Sequence, residues 1–327
     1  MAVLVVAVGV AAGSDTTTEP SPGSEPATTD VGRIVFGRAP GGEVVEAEEV
    51  DLWVVNADGS GERLLVAGAY PGRWSPDGSE VSIFCCDDPT SIAHFVDVAT
   101  GDVRNLETPD PTMELHCSFG WSPDGERLLC EGYGIDDPSR NGIYSVRASD
   151  GGDLTRITSN PGGEDGPGEY SPDGTRLVFI RYEDEVPVGY FVTNVDGTVE
   201  PRQLTPDGMV LDDSYFGGSW SPSGDDILFV ARETEDHHKA IWIVNADEGS
   251  PEPLPITPAC GGPLGAAGEY GCYSPDWSPD GGKIVFTRSE PDGSTETLWI
   301  VDADGSNPVQ LTDGTDDNPN WGTPTTT

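Results

Sequence analysis

The sequence has few basic residues. Lysine and arginine together number 16 against 58 aspartates and glutamates, which gives a formal net charge of −42 at pH 7. Only Lys239 and Lys283 are lysines. Nucleic acids and anionic membrane surfaces are bound by clustered Lys and Arg side chains, so this composition argues against both. The charge is typical of a solvated surface, and a specific partner is expected to be cationic.

The sequence also lacks the short motifs of common catalytic sites. It contains no His-Glu-x-x-His or Cys-x-x-Cys motif, no Gly-Lys-Ser/Thr phosphate loop and no Gly-x-Ser-x-Gly nucleophile turn. Histidine occurs only four times. His237 and His238 follow acidic residues and could ligate a metal, although an exposed acidic loop is the simpler interpretation. These absences argue against serine-nucleophile hydrolases and zinc peptidases.

What the sequence does contain is a repeated unit, clearest between residues 277 and 312. The unit begins with Trp-Ser-Pro-Asp-Gly at 277–281, where Pro, Asp and Gly are the residues of a tight turn. An alternating apolar run at 283–286 and a second apolar run with Ala-Asp-Gly at 298–305 follow. The pattern predicts four short antiparallel strands, a to d, in an up-and-down order.

Six copies of the unit fill most of the chain. Successive aromatic anchors lie 44 to 57 residues apart. A repeat of this length with four strands predicts an all-β fold, a six-bladed β-propeller of four-stranded antiparallel blades. The six anchors are Trp74, Trp121, Tyr170, Trp220, Trp277 and Trp321.

The ends of the array predict how the ring closes. Residues 32–38 align with strand b of the last complete repeat, and no strand a precedes them. Residues 318–321 form a strand a with no strand b after it. We therefore expect the C-terminal strand to pair with residues 33–38, completing blade one and removing two exposed sheet edges.

These repeats resemble the WD40-like (PD40) repeats of the TolB propeller family, which also occur in the propellers of prolyl oligopeptidase-type peptidases. The resemblance covers about residues 31–321 and implies a protein or peptide partner at the cell envelope. The sequence contains neither the N-terminal domain of TolB nor a peptidase domain. A general exported, non-enzymatic binding propeller is therefore the favoured interpretation. The alternative is a Ca²⁺-dependent lactonase or hydrolase with its site at the channel mouth.

The chain divides into four expected segments. Residues 1–13 are apolar and resemble a secretion signal, although no basic stretch precedes them. Residues 14–30 are rich in Ser, Thr, Pro and acidic residues and are expected to form a disordered spacer. The propeller occupies 31–322, and 323–327 is a tail. We predict an exported protein, periplasmic, cell-surface or extracellular, without a transmembrane segment in the mature chain.

Six cysteines fit an oxidising compartment. Cys260 and Cys272 bracket a Gly-rich insertion and are predicted to form a disulfide. Cys130 aligns with core phenylalanines of other blades, so a packed free thiol is an alternative for it. No pairing is predicted for the remaining cysteines, Cys85, Cys86 and Cys117.

Binding is expected on one of the two ends of the propeller. The a–b and c–d turns, with their Ser-Pro-Asp-Gly and Ala-Asp-Gly sequences, share one end, which we call the turn face. The variable, acidic b–c and d–a loops share the other, the loop face. The d–a loops lead into the innermost strands, so carboxylates there could bind a basic peptide or Ca²⁺. The predicted ligand-binding residues at this channel mouth are His116, Asp165, Asp213, Asp316 and Asp317.

Overall fold

The computed structural model describes residues 32–40, 50–84, 90–211, 218–232, 239–248, 252–253, 271–290 and 293–323. In these residues the strands form six antiparallel sheets. The first four blades, each given from innermost to outermost strand, are as follows. Blade one is β25 (Asp316–Gly322), β1 (Arg33–Arg38), β2 (Asp51–Asn56) and β3 (Arg63–Val66). Blade two is β4 (Tyr70–Trp74), β5 (Glu80–Phe84), β6 (Ser91–Asp97) and β7 (Val103–Glu107). Blade three is β8 (Met113–Trp121), β9 (Arg127–Gly134), β10 (Gly142–Arg147) and β11 (Thr155–Arg156). Blade four is β12 (Gly163–Tyr170), β13 (Arg176–Glu183), β14 (Val186–Asn194) and β15 (Arg202–Gln203).

The last two blades follow the same order. In blade five, β16 (Val210–Leu211) and β17 (Ser219–Trp220) both pair with β18 (Asp226–Arg232), followed by β19 (Ala240–Asn245) and β20 (Glu252–Pro253). Blade six is β21 (Gly271–Trp277), β22 (Lys283–Ser289), β23 (Glu296–Asp302) and β24 (Val309–Gln310). One 3-10 turn, Pro138–Arg140, lies in a loop of blade three. The predicted all-β, six-bladed propeller is confirmed.

Each Ser-Pro-Asp-Gly turn is built from its own side chains. In blade two the Gly78 N–H donates to the carbonyl of Ser75 at 2.9 Å, and φ of Gly78 is +69°. The Asp77 carboxylate accepts from the N–H of Ser79 at 3.0 Å, and the Ser75 hydroxyl accepts from the N–H of Glu80 at 2.9 Å. These bonds satisfy the backbone groups at the turn and fix the register of strands a and b.

The core lies between neighbouring blades. The middle strands carry fully buried phenylalanines, among them Phe36, Phe179 and Phe286. One buried cluster joins Tyr190 of blade four to Phe229 of blade five, with ring centroids 4.9 Å apart. Successive side chains of a strand point to opposite faces of the sheet. The side chains on both faces of each middle strand are therefore covered by the adjacent blades.

The C-terminal strand closes the ring as predicted. β25 pairs antiparallel with β1, with Trp321 opposite Ile34 and Asp316 opposite Arg38. Blade one is therefore made of the two ends of the array. β1 is hydrogen-bonded on one side to β2 and on the other to β25, so neither of its edges is left open.

The cysteines are only partly described. Cys117 and Cys130 of adjacent strands form a disulfide, so the interpretation of Cys130 as a free thiol is wrong. Cys272 is disulfide-bonded. Cys260, its predicted partner, lies outside the described residues, as do Cys85 and Cys86, so the Cys260–Cys272 bridge stays a prediction. No helix in the described ranges is long and apolar enough to span a membrane.

Candidate binding site in the central channel

Two of the predicted site residues form ion pairs within their own blades. Asp165 is buried and binds the Arg181 guanidinium through both oxygens, at 2.7 and 2.8 Å. Asp316 is buried and binds Arg38 in the same way, at 2.5 and 2.8 Å. In both blades the carboxylate lies on strand a, directly opposite the arginine on strand b. Each of these bidentate arginine–carboxylate pairs links two strands of its blade and is stronger than a hydrogen bond between neutral groups.

The other predicted residues are dispersed. Asp317 accepts a hydrogen bond from the Tyr70 hydroxyl of blade two at 2.9 Å. His116 is half exposed, with Nε2 at 3.3 Å from a Glu114 oxygen. Asp213 lies outside the described residues. In the described ranges, no three His, Cys, Asp or Glu side chains are grouped so that they could hold a metal ion. The proposed channel-mouth set of five residues stays a prediction.

A different set of residues, five of them polar, meets inside the channel. Each is the residue immediately before an aromatic anchor, and we call the set the channel ring. Its members are Arg73, Gly120, Glu169, Ser219, Asp276 and Asn320. All six line the same cavity.

Ion pairs of the channel ring cross the channel. Arg73 of blade two lies 3.2 Å from an oxygen of Glu169 in blade four and 3.8 Å from an oxygen of Asp276 in blade six. None of these blades is adjacent to another, so the contacts can only be made across the axis of the propeller. The side chains of Arg73 and Asp276 are 11% and 7% exposed, so this cluster is largely shielded from water.

Neighbouring blades supply the remaining hydrogen bonds of the cluster. One oxygen of Asp276 accepts from the Ser219 hydroxyl at 2.8 Å. The other accepts from the Asn320 amide at 2.6 Å and from the Trp321 N–H at 2.7 Å. Asn320 in turn accepts from the N–H of Trp74 at 2.9 Å, so one side chain joins the closing strand to blades two and six.

Burial controls the acidity of this cluster. Loss of hydration raises the pKa of both Glu169 and Asp276 above the ordinary values for carboxyl groups. The guanidinium of Arg73 limits this rise in both cases. Two carboxylates face one arginine, so the fully ionised cluster carries one excess negative charge.

A second group of carboxylates lies on the loop face of blades three and four. We call Glu114, Glu131 and Glu164 the loop-face carboxylates. Burial raises the pKa of Glu131 to about 7, and the charges of Glu164, Asp165 and Glu114 add to that rise. A hydrogen bond with Tyr133 opposes it. The ionised form of Glu131 is therefore costly at this edge.

The sequence contained a signal for the channel ring. In a blade, the position before the aromatic anchor changes from copy to copy while the anchor and the turn after it repeat. Such a position on the innermost strand faces the axis of the ring. Its charged members, Arg73, Glu169 and Asp276, could have been found by aligning the copies, although their contacts across the axis could not.

Comparisons with known proteins agree with this architecture. The family model described as the TolB beta propeller domain matches residues 30–325. An uncharacterized protein of Agrobacterium fabrum, Atu1656, is 31% identical over 229 residues, which cover 66% of this chain and 69% of that protein.

Solved structures share the fold at lower identity. TolB from Acinetobacter baumannii superposes with a TM-score of 0.64 at 20% identity, covering 89% of this chain and 67% of that one. An oligogalacturonate lyase from Vibrio parahaemolyticus superposes with a TM-score of 0.54 at 14% identity, covering 86% of this chain and 79% of that one. The same propeller therefore occurs in a TolB and in an enzyme, and these likenesses establish the fold alone.

Proposed function

We propose that this chain, which belongs to the TolB beta propeller domain family, is an exported, non-enzymatic module that binds a cationic protein or peptide. The binding surface is the loop face of the propeller. Family membership supports a protein partner, and the site geometry supports its charge. The Cys117–Cys130 disulfide supports export, because disulfides persist mainly in oxidising compartments.

The loop-face carboxylates carry the proposal. Glu131 is only partly exposed, and its pKa is raised to about 7. Glu114 and Glu164 are exposed on strands that flank it. Arg181 lies opposite Asp165 on the neighbouring strand, and Asp165 already binds it. A lysine or arginine from a partner would relieve the repulsion, so binding of a cation is favoured here over binding of an anion.

The test is calorimetry with a lysine-rich peptide and its glutamine-substituted counterpart, at about 0.15 M salt so that diffuse attraction is screened. The parent protein should bind the lysine peptide and not the glutamine peptide. Replacing the three loop-face carboxylates with glutamine should weaken binding at least tenfold, since each lost close charge pair contributes roughly 1 kcal/mol or more.

A matched control removes the same charge from the turn face. Asp102, Glu126 and Asp225 are exposed and lie in c–d or a–b turns. Their replacement by Asn, Gln and Asn also removes three carboxylates, which makes the net charge less negative by at least as much, and should leave binding within about twofold. Equal weakening by both sets would contradict a site on the loop face, because only net charge would then matter.

A further inference from the structure

The channel opens on the turn face through a cavity of about 230 Å³. The six anchors form a collar around it, and the turn residues Ser75, Pro76, Pro222 and Pro279 line its opening. An apolar cavity of about 150 Å³ admits a benzene molecule. Pockets for drug-sized ligands begin near about 300 Å³. The cavity therefore has the size of one long side chain.

The floor of the cavity is the channel ring. Both oxygens of Asp276 already accept hydrogen bonds from Ser219, Asn320 and the closing strand. Glu169 differs, because one oxygen accepts from the N–H of Trp220 at 3.0 Å and the other contacts Arg73. Its side chain is 20% exposed, and a carboxylate offers about four acceptor sites. Glu169 is therefore the floor residue able to accept another donor.

The collar supplies aromatic surface. Trp220 and Trp277 both line this cavity and are 4% and 8% exposed. Their indole N–H groups are themselves covered and have no acceptor among the described residues, so they do not offer hydrogen bonds to a ligand in the cavity. The collar therefore provides apolar contact above the carboxylate of Glu169.

We propose that this cavity binds one lysine side chain of a partner peptide, with its ammonium group at Glu169 and its methylene stem against the aromatic collar. Aromatic faces attract organic cations, and the lysine stem packs on apolar surface while its head stays polar. Ca²⁺ is disfavoured, because among the described residues no three His, Cys, Asp or Glu side chains are grouped so that they could hold a metal ion. The site lies on the face opposite the loop-face carboxylates, so it goes beyond the proposed function and can fail independently of it.

The probe is N-acetyl-lysine N-methylamide, compared with its norleucine counterpart, which has the same stem and no charge. Titration followed by NMR should show saturable binding of the lysine compound only. Glu169→Gln, which keeps the size of the side chain, should weaken binding about tenfold or more, the effect of one hydrogen bond to a charged group. Glu126→Gln, in a neighbouring exposed turn, removes the same charge and should not change the affinity.

A second variant closes the opening without changing charge. Thr323 is exposed and lines the cavity, so Thr323→Trp should block entry and abolish binding. The proposal is overturned if the parent protein does not bind the lysine compound, or if the norleucine compound binds equally well. It is also overturned if Glu169→Gln retains both the melting temperature and the affinity of the parent. Should Glu169→Gln fail to fold, unchanged affinity in Thr323→Trp overturns it. Loss of loop-face binding with this site intact would count against the proposed function alone.

Discussion

The turn face and the channel use the same chemical group in opposite ways. On the turn face, the aspartates of the Ser-Pro-Asp-Gly turns accept local hydrogen bonds, which lower the pKa of each carboxyl; for Asp173 the value is about 2. In the channel, burial raises the pKa of Glu169 and Asp276. The turn aspartates stabilise the fold as anions, whereas the channel carboxylates are costly as anions. An acidic sequence therefore does not indicate by itself where negative charge is available to a ligand.

The closing strand contributes to both regions, and its removal should have the largest effect. Deleting residues 316–327 removes Trp321, the Asp316 ion pair and Asn320 together. Loss of a buried tryptophan side chain alone costs about 3–5 kcal/mol. We expect the cooperative unfolding transition to be lost or its urea midpoint to fall sharply. Deleting only residues 324–327 is the control. An unchanged midpoint in the longer deletion would contradict ring closure.

Asn320→Ala tests the channel specifically. The variant removes a donor to the Asp276 carboxylate, which should cost about 2–3 kcal/mol at neutral pH. It also raises the pKa of Asp276 further, and a carboxyl whose folded pKa is raised loses stability as pH increases. Urea unfolding should therefore show a larger loss at pH 8 than at pH 5.

Ser82→Ala is the control for Asn320→Ala, because within the described part of the chain the Ser82 hydroxyl bonds only to backbone groups. Its cost should be the same at both pH values. A loss of stability in Asn320→Ala that does not change with pH would mean that the Asn320 amide does not affect the pKa of Asp276.

Glu131→Gln should stabilise the protein at high pH. The folded pKa of Glu131 is about 7 and its ordinary value is 4.5, so its contribution is complete below about pH 4.5 and is lost as pH rises to about 7. Glutamine does not titrate. The difference in unfolding free energy between variant and parent should therefore grow in favour of the variant from pH 4.5 to 7. A constant difference across this range would contradict the raised pKa.

Asp173→Asn should show the opposite sign and the smallest effect. The pKa of Asp173 is lowered to about 2, so its contribution is present above about pH 4 and is lost as pH falls towards 2. The carboxylate is exposed, and the loss at pH 7 should be below about 1 kcal/mol. Thermal unfolding should find variant and parent equally stable near pH 2. A loss that persists there would point to a change in turn geometry instead of charge.

The repeat pattern was sufficient to predict the fold and its closure. Turn residues and aromatic anchors have fixed local roles, so six copies predict six blades, and the missing halves at 32–38 and 318–321 predict the pairing of β1 with β25. Family membership agrees with this prediction.

The candidate site was less predictable because its contacts join distant blades. Asp165 and Asp316 were expected as ligands, and the structure pairs both with arginines two residues after a core phenylalanine. Those arginines, Arg181 and Arg38, were visible in the aligned strand b. The cross-channel contact of Arg73 with Glu169 depends on the diameter of the closed ring, which no local pattern contains.

Proton release on binding tests most directly whether the loop-face carboxylates bind a cationic partner. The pKa of Glu131 is raised to about 7, so near that pH the group keeps part of its proton, and a cation beside it lowers its pKa. Binding of the lysine-rich peptide should then release up to about half a proton at Glu131 by linkage. Calorimetry in buffers of different ionisation enthalpy measures this number. We predict release by the parent protein and much less by Glu131→Gln. Binding without proton release, or equal release by both proteins, would contradict binding of the cation at the loop-face carboxylates.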